Sequence, residues 1–429
     1  MVKSMRLTDE EQRMLDGESG PLVRQALAKT VEYGRIVEAE SLCRVTMAHL
    51  FCGAHPYLEA CPTRDFDEVY SEMAFVSREK LVFDRLSPDC RCQSDVFPVS
   101  ANDWATMTAD RERAAVNELY LARFAALGVR LVGTCVPYLT GFVPLPGEHY
   151  VSSESHAVLL MNSLWSARGQ ADGLEAGFWA AVCGRTPFWG LHDPCRRLGT
   201  HHYRVEARLE TVHDWDLFGH AAGLKIPPGA VPVFSGFPRP DIHKLKSAAA
   251  SLATTSGAEM AHFVGLTPEA PTLSAALAPG AGKEIVTIGP REMEESRGLL
   301  SSGRRAELDY ISLGCPHLTV HQLGEVAEGL AGRRISDRTV VHVWTAAPFK
   351  ETADRMGYTK IIETAGAKLL TNTCPLVSGQ LPPGTRTLAL DSAKQAHYLK
   401  SETKAEILYG SLDDCLRSAV SGRWEGARG

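Results

Sequence analysis

The sequence predicts an α/β fold built on parallel sheets, and three observations carry that prediction. In the C-terminal third, short runs of β-formers alternate with stretches of helical spacing, which is how a chain builds a parallel sheet with helices on both faces. Three cysteines, Cys135, Cys315 and Cys374, each follow a short apolar run (129–132, 310–313 and 368–371), which sets each thiol just past the carboxyl end of a strand. Open α/β sheets bind their ligands there. The third observation is length: 429 residues exceed one ordinary core and imply two or three domains. We place these at 1–128, a helical and α/β region, at 129–240, an α/β domain with the first of the three cysteines, and at 241–429, with the other two.

From the amino end, Thr8-Asp-Glu-Glu11 reads as a capping box, and Met14, Leu15, Leu22, Val23, Ala26, Leu27 and Val31 recur at helical spacing. Residues 8–50 therefore read as helices, one ending near Gly34 and another over 38–50 that carries His49 near its end. Residues 59–100 are irregular, and Cys61 with the Cys90-Arg-Cys92 pair lacks the second ligand pair of a structural zinc site. A helix over 101–127 leads into the 129–132 strand, and a Gly- and Pro-rich loop runs from Pro137 to Gly147. Helices follow over 153–165 and 173–183, and the Pro and Gly density at 229–240 marks a linker or crossover. Beyond Asp241 come a helix, a strand over 259–264 and a surface stretch through Lys283. The last third reads strand 308–313, helix 319–331, strand 339–345, helix 348–356, strands 367–371 and 386–390, then helix.

At 44% hydrophobic and 22% charged, the chain has the balance of a globular protein. Its net charge of −6, with no block of Lys or Arg, leaves no electrostatic footprint for nucleic acid. No run of about eighteen apolar residues occurs and the first residues carry no apolar signal core. No membrane is therefore expected, and the cytoplasm is the expected compartment. Eleven cysteines in that setting stand as free thiols or metal ligands more often than as disulfides.

A single buried cysteine is usually a small core residue and nothing more. What sets Cys135, Cys315 and Cys374 apart is a shared setting: Gly133-Thr-Cys-Val-Pro137, Gly314-Cys-Pro-His317 and Thr373-Cys-Pro-Leu376 are loops stiffened by proline. Three thiolates meeting in one crevice suit a metal ion or an iron–sulfur cluster, and one ligand short of an all-cysteine set leaves an iron open to substrate. Cys43, Cys52, Cys183, Cys195 and Cys415 lack that setting and read as structural. His317, two residues past Cys315, stands to orient a cluster sulfur, to reach substrate, or only to satisfy its own loop. His49 has the ordinary reading of a helix C-terminal cation. Asn162, Ser163 and Arg168 form a polar patch beside apolar neighbours, with Arg168 suited to a carboxylate. Near the end, Leu390-Asp-Ser-Ala-Lys394 runs from strand into helix. Ser392 has the makings of an N-cap, yet first-turn amides with Lys394 also bind an anion, which is the reading we favour.

In order along nearly the whole chain, these motifs resemble the aconitase X family. The residues that carry the resemblance include Leu7-Thr-Asp-Glu-Glu11, Ala48-His49, Cys135 through Leu139, Gly147-Glu-His149, Glu154-Ser155, Asn162-Ser163 and Arg168. They continue with Gly184-Arg-Thr-Pro187, Gly190-Leu-His192, Gly265-Leu-Thr-Pro-Glu-Ala270, Gly314-Cys-Pro-His317, Thr373-Cys-Pro375, Ser392, Lys394 and Ala396-His-Tyr398. The resemblance implies an aconitase-like arrangement of three α/β/α layers around an iron–sulfur cluster, [4Fe-4S] or [2Fe-2S], held by Cys135, Cys315 and Cys374, with mononuclear iron as the variant. It implies a hydro-lyase acting on a small hydroxy acid, cis-3-hydroxy-L-proline (giving 1-pyrroline-2-carboxylate) or mevalonate 5-phosphate. It also implies a small partner subunit supplying a swivelling fourth domain that this chain lacks, and with it the group that takes the proton. Carried over position by position, catalytic roles fall on His49, Ser163, His317 and Lys394, and substrate binding on Asn162, Arg168 and Ser392.

Three stretches depart from the family pattern. Gly169-Gln-Ala171 stands where Thr-Asn-Arg is usual, Asp391-Ser-Ala-Lys394 replaces Asn-Ser-Gly-Lys, and Ser152-Ser-Glu-Ser-His156 replaces Trp-x-Glu-Ser-Ser. They leave less positive charge than a phosphorylated substrate wants, so cis-3-hydroxy-L-proline is the expectation, with another hydroxy acid of a specialised pathway as the alternative. A metal- or cluster-binding protein without activity is the reading from a different class.

Overall fold

Local caps start the chain as its sequence dictates. In the computed structural model, which describes residues 5–54, 61–100, 104–107, 111–302 and 307–426, the Thr8 hydroxyl accepts from the Glu11 amide and Glu11 accepts from the Thr8 amide. This capping box opens the helix Asp9–Asp16, and Pro21 in the first turn opens the next, Pro21–Ile36. That second helix runs through Gly34 instead of ending there.

The helix expected over 38–50 does not form. Two strands stand in its place, β1 (Leu42–Arg44) and β2 (Met47–Leu50), and every residue of β2 is buried. A strand covered on both faces shows no alternation, so its apolar run is indistinguishable from a buried helix by spacing alone. His49 is therefore a strand residue and not a helix-terminal cation. Strand β2 is the centre of a parallel sheet between β3 (Arg91–Ser94) and β4 (Tyr150–Ser152), while β1 pairs antiparallel with β5 (Arg185–Pro187). The run at 129–132 makes a single bridge, Arg130 to Gln93, and no strand. Gly128 and Gly133, at φ +93° and +61°, bend the chain at both sides of it.

A second sheet comprises β6 (His201–Val205), β7 (Pro232–Ser235), β8 (His262–Phe263) and β9 (Ile285–Ile288) in the parallel order β8-β7-β6-β9. The strand expected over 259–264 contributes only the two residues of β8. The third sheet follows the alternation in the sequence and adds one strand to it: β10 (Tyr310–Leu318), β11 (Val340–Thr345), β12 (Lys368–Thr371) and β13 (Thr387–Leu390) answer the four expected strands, β14 (Glu406–Tyr409) stands where only helix was expected, and the order is β12-β11-β10-β13-β14, parallel throughout. The helices expected over 153–165, 173–183, 319–331 and 348–356 are Ser155–Leu164, Leu174–Cys183, Val320–Leu330 and Ala347–Met356. Of the helix expected over 101–127, the described residues form a short turn, Trp104–Met107, and the helix Arg111–Ala126, while 101–103 and 108–110 lie outside the described residues.

Each sheet has its own apolar core, and the central one reaches its neighbours. Trp215, Phe218 and Phe234 of the middle region cluster with Met47 and Tyr150 of the first sheet and with Tyr310, Leu388 and Leu390 of the third. Burying each such side chain stabilises the fold by about 1.5–3 kcal/mol, so this shared core fixes how the sheets face one another. The helices Val212–Gly223 and Ile242–Ser256 approach closely because Gly219 has no side chain; a Cβ there would meet the Ala248 carbonyl carbon at 2.9 Å. The second helix thereby carries Lys246 inward to the loops of the third sheet.

Candidate active centre at the carboxyl ends of two sheets

Parallel strands deliver their carboxyl ends to one side, and here two sheets deliver theirs to one place. Cys315 lies within β10 and not past its end, in the irregular stretch Gly314-Cys315-Pro316-His317 where the register with β11 shifts; β12 and β13 lead into Asn372-Thr373-Cys374 and Asp391-Ser392, while β2, β3 and β4 end at His49-Leu50, Ser94-Asp95 and Ser152-Ser153-Glu154. Cys135 enters from between them. Its loop is pinned where the Gly133 amide donates to Ser94 Oγ (3.0 Å) and Asn372 Nδ2 donates to the Val132 carbonyl (2.7 Å). A Cβ at Gly133 would lie 2.8 Å from both Asn372 Cβ and Phe97 Cε2, so only glycine permits the approach.

The three thiols are neighbours: Cys315 acts electrostatically on Cys135, and Cys374 on Cys315. Cys135 and Cys315 are partly exposed, while Cys374 is 8% exposed. Desolvation by the enclosing protein pushes all three upward, Cys315 to about 12 and Cys374 to about 11. Donors already aimed at the sulfurs oppose that. The His317 amide donates to Cys135 Sγ (3.4 Å), the Leu376 and Val377 amides face Cys374, and the Ser392 hydroxyl lies beside Cys315. Amides and hydroxyls directed at sulfur are what a cluster-bearing thiolate requires.

Around the thiols lies a set of buried charges. Glu154 accepts from Lys394 Nζ at 2.6 Å and from His156 Nδ1 at 2.6 Å. Burial opposes its ionisation, yet Lys394 and His156 overcome that and hold the carboxyl well below the usual carboxylate range. Asp95 lies 3.6 Å from His49 Nδ1, and burial together with Glu154 pushes its carboxyl well up. Asp391 accepts from the Gly314 amide and is raised to about 6 by burial. Lys246 donates to the Pro316 carbonyl (3.2 Å), the His317 carbonyl (2.8 Å) and Gln322 Oε1 (2.7 Å), bracing the Cys315 loop from below, and burial lowers it to about 8. Asp216 accepts from the Ala393 amide (2.6 Å) and the Tyr409 hydroxyl (2.8 Å), which anchors the start of the helix Ala393–Glu402 that presents Lys394.

Buried polar atoms without a partner gather here too: His49 Nε2, His156 Nε2, Tyr138 Oη and Thr373 Oγ1. Such atoms occur elsewhere in the molecule as well, so it is their position beside the thiols that gives a bound group polar partners. Together with three thiols already met by hydrogen-bond donors, they fit an iron–sulfur centre. Among the described residues, Cys43, His149 and His192 are the group whose three ligand atoms fall within 4.8 Å of one another; the three cysteines are spaced more widely, which suits a multi-atom group better than one ion.

The residues expected from the sequence divide between this centre and elsewhere. Cys135, Cys315, Cys374, His49, His317, Ser392 and Lys394 are brought together. His317 has both nitrogens committed, Nδ1 to Thr134 Oγ1 (3.2 Å) and Nε2 to the Thr373 carbonyl (3.0 Å), and burial lowers it to about 4, so it is a neutral tie between the Cys135 and Cys374 loops. Ser392 caps its helix by accepting from the Gln395 amide (3.3 Å), and Lys394 spends its charge on Glu154.

The polar patch predicted to bind substrate faces other work. Asn162 bonds the Gly169 amide and carbonyl, the Glu259 carbonyl and the Tyr150 hydroxyl, filling its capacity. Ser163 donates to the Leu159 carbonyl and accepts from the Ala261 amide. Arg168 bridges to His149 at the amino end of β4, with Ala171 bridging to Ser152 at the other end, and its charge acts on His149, His192 and Cys43. The Asn162 and Ser163 side chains thus hold neighbouring segments to their helix, and Arg168 is tied in by its backbone. Conversely, Asp95, His156, Lys246 and Asp216 were not singled out as site residues from the sequence. Only His156 carried a signal, as a departure from a motif; Lys246 sits in Lys-Ser-Ala-Ala-Ala with nothing to mark it.

Comparison with known proteins extends the geometry. Models for the first, second and third domains of aconitase X match residues 4–194, 199–298 and 308–421. The chain is 29% identical to the phosphomevalonate dehydratase large subunit of Methanocaldococcus jannaschii, covering 96% of this chain and 100% of that one. It is 30% identical to the protein of the same name from Methanothermobacter thermautotrophicus (97% and 99% covered). It is 29% identical to cis-3-hydroxy-L-proline dehydratase of Pseudomonas aeruginosa, covering 97% of this chain and 70% of that protein. The crystal structure of holo-form aconitase X from Thermococcus kodakaraensis has the same fold, with a TM-score of 0.82 at 24% identity over 97% of this chain and 100% of that one.

Proposed function

The chain belongs to the aconitase X family and is a dehydratase of that type, and from this premise we propose that its substrate is a small zwitterionic hydroxy acid, cis-3-hydroxy-L-proline first. The observation that carries the choice is the charge around the thiols. Two lysines, Lys394 and Lys246, stand among three buried acids, Glu154, Asp95 and Asp391, of which Glu154 is held ionised, and both lysines already have partners. Ala171, bridged to Ser152 at the active end of β4, occupies the position where the family pattern has an arginine. An amino acid brings its own ammonium to such a site, whereas a phosphate ester carries further negative charge that Glu154 repels and that meets lysines already partnered.

In this reading Cys135, Cys315 and Cys374 hold an iron–sulfur cluster. An iron left open by three thiolates supplies Lewis acidity toward the substrate hydroxyl. Lys394 and Ser392 bind the substrate carboxylate, and Glu154 balances its ammonium. His156 takes the proton: its Nδ1–H donates to Glu154, which fixes the tautomer and leaves Nε2 buried, unpartnered and free to accept. His317 and His49 keep the loops in register. Large-subunit relatives matched over 99–100% of their length support a small partner subunit for this chain as well.

The test is a direct assay of the anaerobically reconstituted protein, with its small subunit, on both compounds. Water loss from cis-3-hydroxy-L-proline, followed by trapping of the cyclic imine, is the expected result. Turnover of mevalonate 5-phosphate with none of the hydroxyproline would overturn the charge argument.

A further inference from the structure

At the opposite end of the first sheet stands a cluster that the dehydration does not use. Cys43 belongs to β1, His149 immediately precedes β4, and His192 lies in a short turn, Gly190–His192. One ligand atom from each falls within 4.8 Å of the other two. The Nδ1 atoms of the two histidines are 3.0 Å apart. Two nitrogens bound to one zinc at about 2.1 Å each lie roughly 3.3 Å apart, so the pair is nearly at ligand spacing. From His149 through β4 to Glu154 the chain runs about 16 Å, five residue steps at about 3.3 Å each.

We propose that Cys43, His149 and His192 form a second metal site, distinct from the three-cysteine centre, that takes zinc. A thiolate and two imidazoles are the donor set a borderline-soft divalent ion prefers. The His192 ring is wholly buried, with its Nδ1 turned to His149 and the Arg168 backbone beside it. Cys43 and His149 are partly exposed, which gives the ion a way in and leaves its fourth position to water. The surrounding charge permits it. Arg197 is neutralised by two-point pairing with Glu269 (2.9 and 2.7 Å), and Asp172 stands beside Cys43 to offset Arg168. A bound ion would staple residues 43, 149 and 192, which are far apart in the chain.

The proposal stands independently of the substrate, and its test reads metal content and not turnover. Protein expressed with added zinc and desalted should hold about one zinc per chain, and Cys43→Ala or His192→Ala should lower that about tenfold or more with iron content unchanged. Cys135→Ser should lose iron and keep zinc. Cobalt added in place of zinc should give a thiolate charge-transfer band that Cys43→Ser lacks; this near-isosteric variant at a partly exposed position covers the case in which the alanine variants fail to fold. No zinc in the wild type, or zinc and the cobalt band both retained in Cys43→Ser, would overturn the site.

Discussion

The two ends of the first sheet carry the same kinds of side chain to opposite effect. At the carboxyl end, His49, Asp95, Glu154 and His156 meet loops from the third sheet, and hydrogen bonds cross between segments hundreds of residues apart, as from Lys394 to Glu154 and Thr134 to His317. At the amino end, Cys43, His149, His192 and Arg168 all fall within residues 4–194, the first-domain match. The first arrangement gathers side chains and loops of two sheets around the thiols; the second leaves ligand atoms close enough for one ion. Chemistry on an organic substrate needs the former, because a reacting molecule must touch groups from several rigid elements at once.

The widest separation of the two ends comes from their cysteines. Cys315→Ser should abolish visible absorbance and lower kcat by about a thousandfold or more, since several kcal/mol of charge stabilisation at the hydroxyl is removed. Cys43→Ser should leave both within about twofold. Equal losses from the two variants would erase the distinction. Histidines sharpen it: His156→Ala should lower kcat by about 10²–10⁴ with KM little changed, while His149→Ala should not. A normal kcat in His156→Ala would return the proton step to the partner subunit.

The cysteines were legible because proline and glycine mark their loops locally. The third sheet was legible because its strands alternate with amphipathic helices. Strand β2 was not, since burial on both faces erases the period that would have told it from a helix, and His49 was misread with it. Arg168 and Asn162 look like substrate ligands as residue types, but which end of β4 they reach is set by a bridge register that no local pattern records. Lys246 was invisible for the same reason: its role depends on how closely two helices pack at Gly219.

That packing yields a smaller effect. Lys246→Met should cost about 2–4 kcal/mol in urea unfolding, because the Pro316 and His317 carbonyls and Gln322 lose a common buried donor. Cluster loss should accompany it, as the Cys315 loop loses its brace. No amino-end variant should couple stability to iron content in this way.

The smallest expected effect tests the register itself. Arg168 is the natural candidate for a substrate carboxylate by residue type, and its position in the family pattern points the same way. The backbone says otherwise: its carbonyl receives the Tyr150 amide and its amide donates to Glu148, which fixes it beside His149 and leaves three residues of β4 between it and Glu154. Arg168→Ala should therefore change kcat/KM by less than about tenfold, whereas removal of a bidentate carboxylate partner in a buried site costs well over that. Lys394→Ala supplies the contrast, since it removes the cation that touches Glu154 beside the thiols, and its loss should appear in both kcat and KM. If Arg168→Ala instead raised KM by a hundredfold, the substrate would reach the amino end of β4, and the division of the sheet into two ends with separate tasks would fail.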